Sequence, residues 1–233
     1  MRRNIAEKEE RAGHRFFQRT FEDLLLPIII WLLVLVGLTT LKVIGKWNLS
    51  GYLAIVFFLI IPSVLEKSNE ILGLNINPKR EIKFFLLTSA IFSIAFVLLL
   101  LSVKNPIDIE FFGIKIAKVF PQIPEVKDFK WLIIFFLGVA VPEELFFRGF
   151  VQGRLNRFFG RKFELFGVKF GYGLILQSAL FMLVHLPQSF APIRFLVFFP
   201  ALLFGILREK YNSIFPSVIL HAVGNFFVMF VAG

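Results

Sequence analysis

Residues Phe84–Val103 read FFLLTSAIFSIAFVLLLLSV, 20 consecutive positions without a charge. At about 1.5 Å per helical residue such a run spans roughly 30 Å, the depth of a bilayer's hydrocarbon core. That requirement constrains the rest of the chain, because helices that share a membrane must pack against one another. Other apolar segments follow the same reading: Leu24–Leu41 with Pro27 in its first turn, Tyr52–Leu65 interrupted by Pro62, and Trp131 to about Gly153. Tyr172–Leu186 ends before Pro187, Arg194–Leu207 holds Pro200 mid-way, and Ile214–Val231 closes the series. With 57% hydrophobic residues and 33 Phe, the composition is too apolar for an ordinary soluble domain. The expected fold is all-α, a polytopic transmembrane helical bundle of about 7–8 spans.

The net charge of +10 fits this reading without nucleic acid, since no basic globular domain is left over. In membrane proteins Lys and Arg collect in short cytoplasmic loops. With seven spans, one side carries 17 basic residues and the other 8, leaving aside Arg148. The bias puts the N-terminus in the cytoplasm. Residues 1–23 mix six basic and five acidic residues with Phe16, Phe17 and Phe21, the pattern of a cytoplasmic segment ending in a helix on the membrane surface. His14 lies there and is read as solvated. No short apolar region with a cleavage site precedes the first span, which is expected to act as its own anchor. Residues 104–130 are amphipathic without a clean period and read as an interfacial segment that could cover a site. The absence of Cys removes thiol nucleophiles, disulfides and thiolate metal sites.

Against this apolar background, VPEELFFRGF (residues 141–150) keeps Glu143, Glu144 and Arg148 together. Each such charge costs about 2.5–3.5 kcal/mol at the centre of a spanning helix, so a cluster of them points to a functional site. Glu143 lies roughly 18 Å down from one face, and His185 and His221 roughly 20 Å and 11 Å up from the other, so all three fall near mid-membrane. Glu143 and a neutral His185 can share a water and take its proton. His221 and Asn225 are four apart and face one side of a helix, where both can donate to one developing oxyanion. Glu144 and Arg148, also four apart, can pair and hold neighbouring helices in register. Gly149 and Gly153 form a small-xxx-small packing pair. Two other readings remain open at this level. His185, His221 and one Glu would supply three zinc ligands, although H-E-x-x-H is absent. A polar cluster can also bind a partner without catalysis.

EELFFR, FMLVH (Phe181–His185) and HAVGN (His221–Asn225) resemble, in order, the E-E-x-x-x-R, F-x-x-x-H and H-x-x-x-[NB] motifs of the CAAX-processing and bacteriocin-processing intramembrane proteases. That family includes the type II CAAX prenyl endopeptidases, and the resemblance covers about residues 131–233. It implies a glutamate-dependent protease with no metal and no cofactor. Glu143 and His185 would activate water, His221 and Asn225 would form the oxyanion pair, and Glu144, Arg148 and Phe181 would support them. The implied partners are a peptide or prenylated protein C-terminus and the lipid bilayer. Some relatives resemble immunity proteins or scaffolds. The expected division is an N-terminal interfacial segment (1–23), N-terminal transmembrane helices with the interfacial loop (24–130) and a catalytic transmembrane core (131–233). The expected setting is a prokaryotic plasma membrane, with the active site open toward the cytoplasm.

Overall fold

The computed structural model describes residues 13, 17–103, 107–111, 114–119, 121–189 and 192–231. Among them are eight α-helices. These are α1 (Phe17–Val43), α2 (Trp47–Leu65), the single turn α3 (Asn69–Leu72) and α4 (Pro78–Ser102). The rest are α5 (130–159), α6 (Tyr172–Val184), α7 (Phe198–Tyr211) and α8 (Phe215–Met229). Two antiparallel hairpins depart from the all-α expectation. They pair β1 (Ile107–Phe111) with β2 (Ile114–Val119), and β3 (Phe163–Leu165) with β4 (Val168–Phe170).

Helices α1, α2 and α4 are long and apolar enough to cross a membrane. Their outward residues, such as Leu86, Ile94 and Leu98 on α4, are exposed in a continuous apolar surface, which suits lipid and not water. The chain is an integral membrane protein. Helix α5 has the length to cross but carries six charged residues, while α6 and α8 are apolar helices of only 13 and 15 residues. The sequence reading ran spans through residues where the helix stops. Residues 185–188 form a turn, and Arg194 sits on a 3₁₀ segment, Pro192–Val197, ahead of α7.

Three prolines lie inside continuous helices. Pro27, Pro62 and Pro142 each follow by two residues a stretch with i→i+5 hydrogen bonding, Phe21–Leu25, Ile55–Ile60 and Phe135–Ala140. A proline ring collides with the carbonyl four residues back, and one widened turn moves that carbonyl aside. Ends are set by ordinary caps. Ser68 and Asn77 accept from the backbone of Ile71 and Arg80, at 3.3 and 3.2 Å. Gly73 closes α3 in the left-handed region (φ 66°).

The basic ends of the helices are tied together. Asp23 accepts from Arg157 Nε at 2.8 and 2.9 Å, and that hydrogen bonding raises the Arg157 pKa above its ordinary value. Arg154 pairs with Glu66 at 3.1 Å and donates to the Glu22 carbonyl at 2.7 Å. Gly149 and Gly153 do pack closely, but against the one-turn helix α3: an added Cβ at Gly149 would meet the Leu72 carbonyl oxygen at 2.8 Å.

Three segments outside the predicted spans take defined structure. Residues 17–23 continue directly into α1 and form no separate surface helix; residues 1–12 and 14–16, with His14, lie outside the described residues. Residues 156–170 hold the end of α5 and the β3–β4 hairpin in place of a plain basic loop. In the 104–130 segment, β2 packs against Pro192–Val197, and Gln122 N–H donates to the Phe230 carbonyl at 2.7 Å.

Candidate active site

Helix α5 places Glu144 and Arg148 one turn apart on its inward face. Both side chains are fully buried, and Arg148 Nη1 donates to Glu144 Oε1 at 3.0 Å. Arg148 Nη2 reaches the Ala201 carbonyl on α7 at 3.3 Å. The guanidinium lies between two rings, its carbon 4.2 Å from the Phe181 centroid and 5.1 Å from that of Phe204. A buried cation between aromatic faces gains attraction that water would screen. Glu144 Oε1 also accepts from His221 Nδ1 at 2.9 Å. A carboxylate only accepts, so the His221 proton sits on Nδ1 and Nε2 points elsewhere.

It points at Glu143, whose Oε2 lies 3.8 Å from His221 Nε2. That oxygen is buried and, among the described residues, makes no hydrogen bond. His185 caps α6, and its Nδ1 donates to the Phe181 carbonyl at 2.7 Å. The ring's Nε2 is left as the acceptor. Glu143, His185, His221 and Asn225 line one cavity of about 550 Å³, with Phe181 in its wall. Asn225 sits one turn beyond His221 on α8. The seven expected residues therefore gather around this cavity, from α5, α6 and α8.

The model of the family described as type II CAAX prenyl endopeptidase, Rce1-like, matches residues 125–227. Over those residues the chain is similar to the Rce1-like family. No curated protein and no solved structure matches the chain. The matched stretch begins just before α5 and takes in the walls of the cavity from α5 to α8, so the Rce1-like segment and the polar site coincide. The family is one of endopeptidases.

The Rce1-like site also uses groups that the sequence reading did not single out. Helix α7 supplies the Ala201 carbonyl and Phe204, whose ring stacks on His221 with centroids 5.1 Å apart. Gln188 and Arg194 line the cavity as well, and Phe92 brings α4 to it. A backbone carbonyl leaves no trace in a sequence, and one phenylalanine among 33 carries no signal. Arg194 was visible as a charge at the edge of an apolar run. For zinc the geometry offers little. Among the described residues no three His, Asp or Glu side chains gather closely enough to hold a metal ion.

Direction follows from the helix ends. His185, Gln188 and Arg194 lie where α6 stops and α7 is approached, beside the end of α1, whose Lys42 Nζ donates to the Gln188 carbonyl at 3.0 Å. Arg154, Arg157, Arg161 and Arg208 collect at the opposite end. The start of α1 and the His185–Arg194 side of the cavity therefore lie toward opposite ends of the bundle.

Proposed function

We propose that this protein is an intramembrane endopeptidase that removes the C-terminal tripeptide of prenylated CAAX-type substrates by water activated on Glu143 and His185. The observation that carries the reading is the cavity itself: a buried carboxylate oxygen without a hydrogen bond, two imidazoles with their tautomers fixed, and a free side-chain amide face one space. Glu143 takes a proton from water, and His185 Nε2 accepts the water's other hydrogen bond. The hydroxide adds to the scissile carbonyl. Asn225 Nδ2 donates to the resulting oxyanion, and His221 Nε2 donates when the ring carries its second proton. The C–N bond then breaks as the leaving amine takes the proton held on Glu143.

Glu144 and Arg148 act one layer back: Glu144 fixes the His221 tautomer, and Arg148 fixes Glu144. Apolar walls from Phe92, Leu203 and Leu220 suit a substrate that arrives from the bilayer. We place the protein in a prokaryotic plasma membrane with its basic end in the cytoplasm. The test is incubation of detergent-purified protein with a farnesylated C-a-a-X peptide, read by mass spectrometry. Wild type releases the last three residues and Glu143→Ala does not, while both melt at the same temperature. Asn225→Ala slows release about 10²–10³-fold. Full activity in Glu143→Ala would sink the mechanism.

A further inference from the structure

Among the described residues Arg194 is the one cavity-lining cation the proposed mechanism does not use. Its Nε donates to Ser189 Oγ at 3.3 Å, which orients the guanidinium. Among the described residues no carboxylate is paired with it within ion-pair distance. It lines the same cavity as His185. It projects from Pro192–Val197, the segment just before the first turn of α7. Among the described residues Glu143 is the only acidic one lining the cavity, and the hydrolytic reading commits it to water. The remaining walls are largely apolar. An arginine held in such surroundings favours a planar anion that can take two parallel hydrogen bonds.

We infer that Arg194 is a specificity-determining residue that receives the free α-carboxylate of the peptide's C-terminal residue. The inference deepens the endopeptidase reading and rests on it. The cut is then measured from the chain end, because the distance between Arg194 and the Glu143–His185 pair sets how many residues fit between the carboxylate and the scissile bond. Apolar side chains of those residues would lie against Val197, Leu203 and Val228. The enzyme would discriminate against a peptide whose terminus is capped, even when every side chain is unchanged.

The test compares a fluorescent farnesylated C-a-a-X peptide as free acid and as C-terminal amide, in cleavage by wild type and in binding to the Glu143→Gln protein. Wild type should favour the acid about 10–100-fold in kcat/KM, and Glu143→Gln should bind the acid tighter by a similar factor. Arg194→Ala should collapse both ratios toward one, and Arg194→Lys should restore part of them. A merely structural arginine would lower acid and amide together and leave the ratios intact, which overturns the proposal. Equal cleavage of acid and amide by wild type also overturns it while leaving the protease reading in place. Arg194-dependent acid preference in binding without any cleavage keeps the subsite and removes the protease reading. Absence of any acid preference in binding refutes the subsite whatever the cleavage result.

Discussion

Removing the charge of Glu144 should cost more in stability than its single ion pair suggests. Glu144→Gln keeps the side chain's shape but leaves the Arg148 guanidinium, fully buried, without its counter-charge. Breaking a buried pair from one side costs about 3–5 kcal/mol. Arg148 keeps the Ala201 carbonyl and the two aromatic faces, so the lower end of that range is expected. At ~2–4 °C per kcal/mol for a chain of this size, 3 kcal/mol lowers the melting temperature by about 6–12 °C. Arg148→Met should cost a similar amount, because it strands the carboxylate with only the His221 proton donor. The double variant carries no buried charge at either position and should recover much of the loss, giving a coupling of about 2–3 kcal/mol. Melting in detergent, followed by the fluorescence of Trp31, Trp47 and Trp131, reads all four proteins. Trp31 reports on the bundle directly, since its Nε1 donates to the Leu180 carbonyl at 2.9 Å. Additivity within about 0.5 kcal/mol would refute the claim that these two groups act as one unit.

Other outcomes follow from packing and direction. Gly153→Ala should destabilise by about 1–3 kcal/mol, and by more than Gly149→Ala, because its Cβ would collide with both the carbonyl and the side chain of Ile71; equal melting of the two would contradict the close approach of α3. Asp23→Asn should cost about 1–2 kcal/mol in the same melt, an intermediate value because the Arg157 side chain is 39% exposed. Since the chain has no Cys, single cysteines label cleanly in sealed vesicles. Lys210→Cys should react from the cytoplasmic side and Gln188→Cys from the other. The reverse pattern would turn the cavity toward the cytoplasm and take the N-terminus out of it.

The site was legible where its residues repeat at helical spacing. Glu144 and Arg148, Phe181 and His185, and His221 and Asn225 are three pairs four residues apart, and each lies on one helix face. The sequence also placed these pairs at matching depths, and the structure brings Glu143 within 3.8 Å of His221. The contribution of α7 was hidden, because a carbonyl and an aromatic ring have no chemical mark in an apolar segment. Pro62 misled in a different way: local rules read it as an interruption, yet one widened turn absorbs it. The β3–β4 turn was equally unreadable. It uses Phe166 at φ 49° and Gly167 at φ 75°, and a bulky residue first in such a turn runs against the usual Asn-Gly preference.

Helix α5 is buried on every side at one end only. From Glu144 to Asn156 every residue is buried, and ion pairs from Arg154 and Arg157 fix the helix to the ends of α1 and α2. Toward its start, Ile133 and Leu137 are exposed and a side chain at Gly138 would meet open space. Glu143 stands at the boundary between the two regimes. Sequence drift is therefore free to re-carve the lipid-facing lip of the site turn by turn, while the half that sets the catalytic protons tolerates almost nothing. A lineage of such proteins can change what it cuts long before it can change how it cuts.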